Sequence, residues 1–407
     1  MAEPIRVAVT GIGSISSLGH NVREIWAALE AGRSGIGKLT SIPLDQVNIK
    51  IAAEVKNYDE TKLFDERELL VYDRYTQFAL LSAKEAVAES GIDFKKDEAL
   101  GLETAVIVAS GVGGWSTIDQ AFYNLHKLGK PRAHPLTIPR MMISAATSQI
   151  SMKYGLKGPA FCVSSACSSA NHALGEAYWM IRTGRARAAL AGGSEASISL
   201  TAQRSWESLR VLASDTCRPF SKDRKGMVLG EGAGMLVLER LDDAKKRGAK
   251  IYCEIAGYGL SADAGDIVMP DADGAARAMR QALQSAALNP DDVDHINAHG
   301  TGTQLNDATE VKAIKSVFGA AAKKLMVTST KSMHGHALGG ASALEAVATV
   351  KAIELGIVPP TANYLGPDPD CDLDHVPNTA RKAKVRAAFS NSLAFGGLNA
   401  VVAFKAL

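Results

Sequence analysis

The feature that most constrains this chain is a regular alternation of short apolar runs with longer amphipathic ones. The short runs, RVAVTGIG, TAVIVASG, RAALAGGS, AGMLVLER, EIAGYGLS, HINAHGTG, MVTSTKS and VVAFK, are rich in Val, Ile and Ala and usually meet Gly or Ser. Between them lie NVREIWAALEAG, TQFALLSAKEAVAESG, ANHALGEAYWMIRTG, AARAMRQALQSAAL, DATEVKAIKSVFG and GASALEAVATVKAIELG, whose apolar residues recur at helical spacing. Apolar strands alternating with helices predict an α/β fold whose strands are covered on both faces. Helices closing at Gly184, Gly319 and Gly356 read as ordinary C-caps. The charged stretch ERLDDAKKRGAK precedes a fresh strand at Tyr252, and no Pro- or Ser-rich linker intervenes. That places a boundary near residue 250 between two fused halves, 1–250 and 251–407.

Charge narrows the function. Lys and Arg number 45 against 43 Asp and Glu, a net +2, so no whole-chain field holds nucleic acid or an anionic bilayer. An aromatic content of 6% gives no base-stacking platform. No uncharged run reaches membrane-spanning length, and the opening MAEPIRVAVTGIGSIS reads as a first strand rather than a signal peptide. Cysteines at 162, 167, 217, 253 and 371 show no metal-binding spacing, and reduced thiols in the cytoplasm are expected.

Three segments carry chemistry. GPAFCVSSACSSANHALGEAYWMIRTG runs from a strand through small residues into a helix, with Cys167 at the turn. The free N–H groups and positive end of the helix dipole there should favour thiolate, as a thioester-exchanging nucleophile needs. Cys162, within the strand, is the choice for a merely buried cysteine. DHINAHGTGTQLNDATE puts His299 at a strand end ahead of a helix whose first turn holds Asp307. TSTKSMHGHALGGASALEA repeats the arrangement with Lys331, His334 and His336, so two such turns can converge. A lone histidine is more often a packing residue, but two in matching contexts reverse that preference. Zinc spacing is absent.

The glycine-rich stretches GIGSIS and GVGGW complete no nucleotide-binding fingerprint. VLGEGAGMLVLE reads as a strand, a tight Gly turn and another strand, with no chemistry required. In FSNSLAFGGLNAVVAFKAL, Gly396 and Gly397 bring Phe395 to a sharp hairpin turn.

In order along essentially the whole chain, SSACSSANHA, NAHGTGT, STKSMHGHALGGA and SNSLAFGGLNA resemble the elongating β-ketoacyl-acyl-carrier-protein synthases of the thiolase-like superfamily. Leu393 stands where that family often has Phe. SSACSSANHA, DTCRPFS, PPTANY and PDPDCDLD are similar to the rhizobial nodulation and long-chain acyl ketosynthases within it. The resemblance implies a homodimer of chains with two βαβαβαββ halves in five α-β-α-β-α layers, needing no organic cofactor. It makes Cys167 the acyl acceptor, with an oxyanion hole from the N–H groups of Cys167 and Phe395. His299 and His336 would activate a malonyl thioester, Lys331 would order the site, and Phe395 would gate it. Thr301 and Thr303 would bind substrate, and Val112 would cross the acyl pocket. Asn297, Glu310, Glu345, Ser390 and Asn391 match a structural cation site, although carboxylates there could equally pair with Lys331. The partner implied is a small acidic acyl carrier protein, for which Lys127, Lys130, Arg132 and Arg210 are the docking candidates.

Other readings fit less well. A degradative thiolase needs a second, C-terminal cysteine, and Cys371 lies outside the terminal motif. Initiating ketosynthases pair Cys and His with Asn, where this chain has His336. A non-catalytic chain-length partner has no need of an intact Cys167, His299 and His336.

Overall fold

The computed structural model describes residues 4–407. Ten strands form its centre: β1 (Val7–Ser16), β2 (Thr104–Ala109), β3 (Ala160–Val163), β4 (Ala188–Glu195), β5 (Gly232–Arg240), β6 (Cys253–Ala262), β7 (His295–Asn297), β8 (Met326–Thr328), β9 (Ala387–Ala394) and β10 (Leu398–Lys405). The first five run in the order β3-β2-β4-β5-β1, the last five in the order β8-β7-β9-β10-β6. In each set the fifth strand in sequence is antiparallel to both neighbours and the other pairings are parallel. The same connectivity thus occurs twice. A short antiparallel pairing of Val7–Val9 with Cys253–Ile255 joins the sets edge to edge.

Six helices cover the strands: α1 (Arg74–Ser90), α2 (Ala145–Tyr154), α3 (Ser169–Arg182), α4 (Ala272–Ala286), α5 (Gln304–Phe318) and α6 (Leu338–Leu355). Helices α3 and α6 pack against strands of both sets, α1 and α2 against the first set only, and α4 and α5 lie together beyond the second. This is the five-layered α-β-α-β-α arrangement. The central layer has to be apolar all round, and α6 meets that requirement with buried residues on every face from Leu338 to Val350. Close approach decides the outer packing: a Cβ on Gly11 or Gly13 of β1 would lie 2.0 Å from a carbonyl oxygen of α1. Gly184 closes α3 at φ +76°, as expected of a left-handed cap.

One expectation fails. VLGEGAGMLVLE does not form a hairpin, because only Gly232–Arg240 is a strand. Val228–Gly230 instead pairs with the backbone of His336, accepting its N–H at 2.7 Å and donating to its carbonyl at 2.9 Å. The backbone groups that a local turn would have satisfied are satisfied by a distant segment.

Candidate active site

Cys167 lies in the turn four residues past the end of β3, immediately before the Ser168 cap of α3. Ala166 adopts φ +50°, a conformation costly for a residue with a Cβ. Ser169 Oγ holds it by donating to the Ala166 carbonyl at 2.6 Å while accepting the Ser165 N–H at 2.8 Å. The N–H groups of Cys167 itself and of Phe395 are directed toward the sulfur and favour its anion. These two donors are the pair the resemblance places in the oxyanion hole. The thiolate preference expected from the helix start is not realised at rest. Burial pushes the Cys167 thiol up to about 11, outweighing the opposing pull of Lys331 and the two N–H groups. Cys162 is not buried either, but half-exposed on the edge strand β3.

The two histidine turns do converge. Ligating atoms of Cys167, His299 and His336 all lie within 4.8 Å of one another, and the imidazoles meet edge to face with centroids 5.5 Å apart. Burial, then the charge of Lys331, holds both rings well below the ordinary histidine range, so both are neutral. His336 Nδ1 accepts the Leu338 N–H at 3.1 Å, which puts the ring proton on Nε2. With Nδ1 occupied and Nε2 protonated, His336 is a hydrogen-bond donor to the site rather than a metal ligand. His299 is fixed through its backbone: Glu310 accepts the N–H of His299 and Gly300 at 2.9 and 2.8 Å, and Lys331 Nζ donates to the His299 carbonyl at 2.7 Å. Lys331 also forms a fully buried ion pair with Glu345. His334 turns away, bonded to Thr330 and the Gly335 carbonyl, and serves packing.

A cavity of about 250 Å³ leads to Cys167, His299, His336 and Phe395, and is lined by Thr301, Thr303 and Arg210 among the expected residues. Asp307 and Arg224 build its wall from beneath. Asp307 accepts the N–H of Phe220 at 2.8 Å and of Gly302 at 3.2 Å, while Arg224 donates to the Thr303 carbonyl at 3.3 Å. Arg224, Lys225 and Trp206 stand in none of the motifs the sequence offers. Lys225 joins Arg210 among the lining residues, and the Trp206 indole stacks on Phe395 at 5.9 Å. A tryptophan in a helix otherwise rich in polar residues was the available signal. Lys127, Lys130 and Arg132 are exposed and lie outside this cavity. Val112 is outside it as well, in a turn joined to the nucleophile segment by Ser164 Oγ donating to the Gly111 carbonyl at 3.2 Å.

The expected cation residues divide. Glu310 is occupied by the His299 turn and Asn391, and Glu345 binds Lys331 through one oxygen. Asn297 Nδ2 donates to the Glu345 carbonyl at 3.2 Å. Glu345 Oε2, Ser390 Oγ and Asn391 Oδ1 are each buried without a partner, and each is the kind of oxygen a hard cation takes.

A duplicated α/β fold that brings a buried cysteine, two neutral histidines and two N–H donors to one cavity defines a class of acyl-thioester enzymes. The chain belongs to the β-ketoacyl synthase family: its N-terminal domain matches residues 5–244 and its C-terminal domain residues 252–365. Nodulation protein E of Rhizobium sp. (strain N33) is 50% identical over 98% of this chain and 99% of its own length. The 3-oxoacyl-[acyl-carrier-protein] synthase 2 of Staphylococcus aureus (strain MRSA252) is 41% identical over 100% and 99%. Among solved structures, the ishigamide ketosynthase/chain length factor superposes with a TM-score of 0.94 at 38% identity, covering 99% of this chain and 100% of that one. A type II polyketide-synthase acyl-carrier protein in complex with its ketosynthase bound to the hexaketide gives 0.91 at 34% identity, with 100% of both chains covered.

Proposed function

We propose that the protein condenses an acyl chain carried on Cys167 with malonyl-acyl-carrier protein, giving 3-oxoacyl-carrier protein, CO2 and free carrier. The observation that carries this reading is the meeting of Cys167, His299 and His336 within 4.8 Å, with the N–H groups of Cys167 and Phe395 directed toward the sulfur. Cys167 attacks the acyl thioester, and its proton ends on the departing carrier thiol. The same two N–H groups stabilise the tetrahedral oxyanion. On the malonyl thioester the C–C bond to the carboxylate breaks, and charge collects on the thioester oxygen. The His336 Nε2–H, with His299 beside it, stabilises that enolate. Neutral rings do this without holding the departing carboxylate too tightly. The enolate carbon then attacks the acyl-Cys carbonyl, and collapse expels the Cys167 sulfur. Lys331 and Glu310 keep His299 in place, and Phe395, stacked on Trp206, is the gate. Glu345, Ser390 and Asn391 would hold a structural cation, whose charge would neutralise carboxylate oxygens away from the reacting atoms. Intact-protein mass spectrometry after exposure to a ladder of acyl carrier proteins tests the reading. A mass increase equal to the acyl group, lost in Cys167→Ala, is expected, and no adduct refutes it.

The active form is a homodimer in the cytoplasm. The unpaired edge β3, with Ala160 exposed and Phe161 to Val163 half-exposed, is open to a second copy, and all five cysteines are free thiols. A monomer in sedimentation velocity at working concentration would contradict this.

The carrier docks by charge on Lys127, Lys130, Arg132 and Arg210, with Arg210 at the cavity through which its arm enters. Reversing Lys130 and Arg132 to Glu raises KM for acyl carrier protein about tenfold and spares a small pantetheine thioester. Equal losses on both substrates reject this surface.

The acyl chain lies on the Val112 side of Cys167, opposite the arm. Val112→Phe fills that space by overpacking and shortens the longest acyl group found on Cys167. An unchanged adduct ladder removes Val112 from the pocket wall.

A further inference from the structure

One buried carboxyl is not used by the chemistry above. Glu195, the last residue of β4, has no exposed surface. It accepts Ser110 Oγ at 2.8 Å, the Gly111 N–H at 2.6 Å and the Gly339 N–H at 3.0 Å. The Val112 N–H is directed at it too. Ser110 Oγ in turn accepts the Gly113 N–H at 2.9 Å, so the whole turn bearing Val112 is organised around this side chain. There is room for nothing else. A Cβ on Gly339 would lie 2.1 Å from the Gly111 nitrogen, and a Cβ on either glycine would lie 2.8 Å from Glu195 Oε2.

The other side of the carboxyl leads to His336. Leu338 adopts φ +43°, a conformation disfavoured for a branched side chain, and its N–H is the donor that sets the His336 tautomer. The next N–H along, that of Gly339, is held by Glu195. The carboxyl therefore holds the peptide on the far side of strained Leu338, the residue whose own N–H decides where the imidazole proton sits. It also satisfies a donor at the start of α6 that has no intrahelical partner.

We propose that Glu195 is a positioning residue that locks the Val112 turn to the Leu338–Gly339 peptide, so that the acyl-side wall and the His336 donor keep one relative placement. Glu195 touches no substrate and acts through backbone N–H groups on both sides. This role rests on the condensation reading of Cys167 and His336.

The test compares Glu195→Ala and Glu195→Gln with wild type, reading condensation kinetics and the ladder of acyl adducts on Cys167. Alanine is expected to lower kcat about tenfold or more, leave KM for malonyl carrier protein within about twofold, and shift the adduct ladder. Glutamine restores kcat to within about threefold of wild type, because its carbonyl accepts the two glycine N–H groups and its amide donates to Ser110. A lower melting temperature with the ladder and kcat unchanged marks an ordinary structural residue and overturns the proposal. If Glu195→Ala does not fold, Ser110→Ala decides: it cuts one leg of the tie and shifts the ladder, and an unshifted ladder overturns the proposal. A wild type that takes no acyl group on Cys167 defeats the condensation reading itself. A wild type that is acylated, with variants that match it, defeats only the role of Glu195.

Discussion

Cys167→Gln is expected to release CO2 from malonyl carrier protein faster than the resting wild type while forming no 3-oxoacyl product. The substitution removes the nucleophile and places a planar amide carbonyl near the N–H groups directed toward the sulfur, those of Cys167 itself and Phe395. That amide imitates the acyl thioester but cannot be attacked productively, so the site behaves as though permanently loaded. If Phe395 is the gate proposed above, a filled acyl position should then displace it from its stack on Trp206 and admit the malonyl group. Adding His336→Ala should abolish the release, because it deletes a donor worth about 2.7–4 kcal/mol at a developing oxyanion. His299→Ala in the same background should do likewise. The measurement is CO2 or acetyl-carrier formation by the single and double variants. Should Cys167→Gln/His336→Ala decarboxylate at the single-variant rate, His336 is a packing residue and the division of labour is wrong.

Lys331→Met is the second large effect. Lys331 and Glu345 are both fully buried and paired, and removing the cation leaves the carboxyl in the interior without its partner. Breaking such a pair costs about 3–5 kcal/mol of stability, read as a shift in the urea midpoint. Burial already raises the Glu345 carboxyl to about 7 against the pull of Lys331, so without the lysine it takes up a proton. Lys331→Met/Glu345→Leu should recover most of that stability, since an apolar pair of similar volume needs no compensation. Activity should stay low, because Lys331 Nζ also holds the His299 carbonyl. A double variant that recovers turnover together with stability would show that Lys331 contributes only through its charge partner.

Much of this was written in short stretches of sequence. The strand and helix runs appear where their periodicity placed them, because burial on one face or both imposes a repeat that any window reveals. Cys167, His299, His336 and Phe395 were legible for the same local reason: each stands at an abrupt change from strand to small or glycine-rich turn. Val228–Gly230 was misread because its strand-like pattern is real but its partner is the distant backbone of His336, not the next strand. Glu195 gave no signal at all. It ends a strand beside Ser194 and Ala196, and only the fold brings Gly111 and Gly339 to it.

What the sequence by itself determined is the kind of each element, their order, and which reactive residue stands at which turn, since these follow from local spacing and turn chemistry. What only the tertiary structure decided is the state of those residues. Helix-start logic favoured a thiolate at Cys167, yet burial by surrounding segments raises the thiol to about 11. The proton of His336 is placed on Nε2 by the N–H of strained Leu338, and a second proton is kept off His299 by burial and Lys331. Solvent exclusion and the field inside the site depend on every segment packed around it, so protonation is a property of the assembled molecule rather than of any stretch of its sequence.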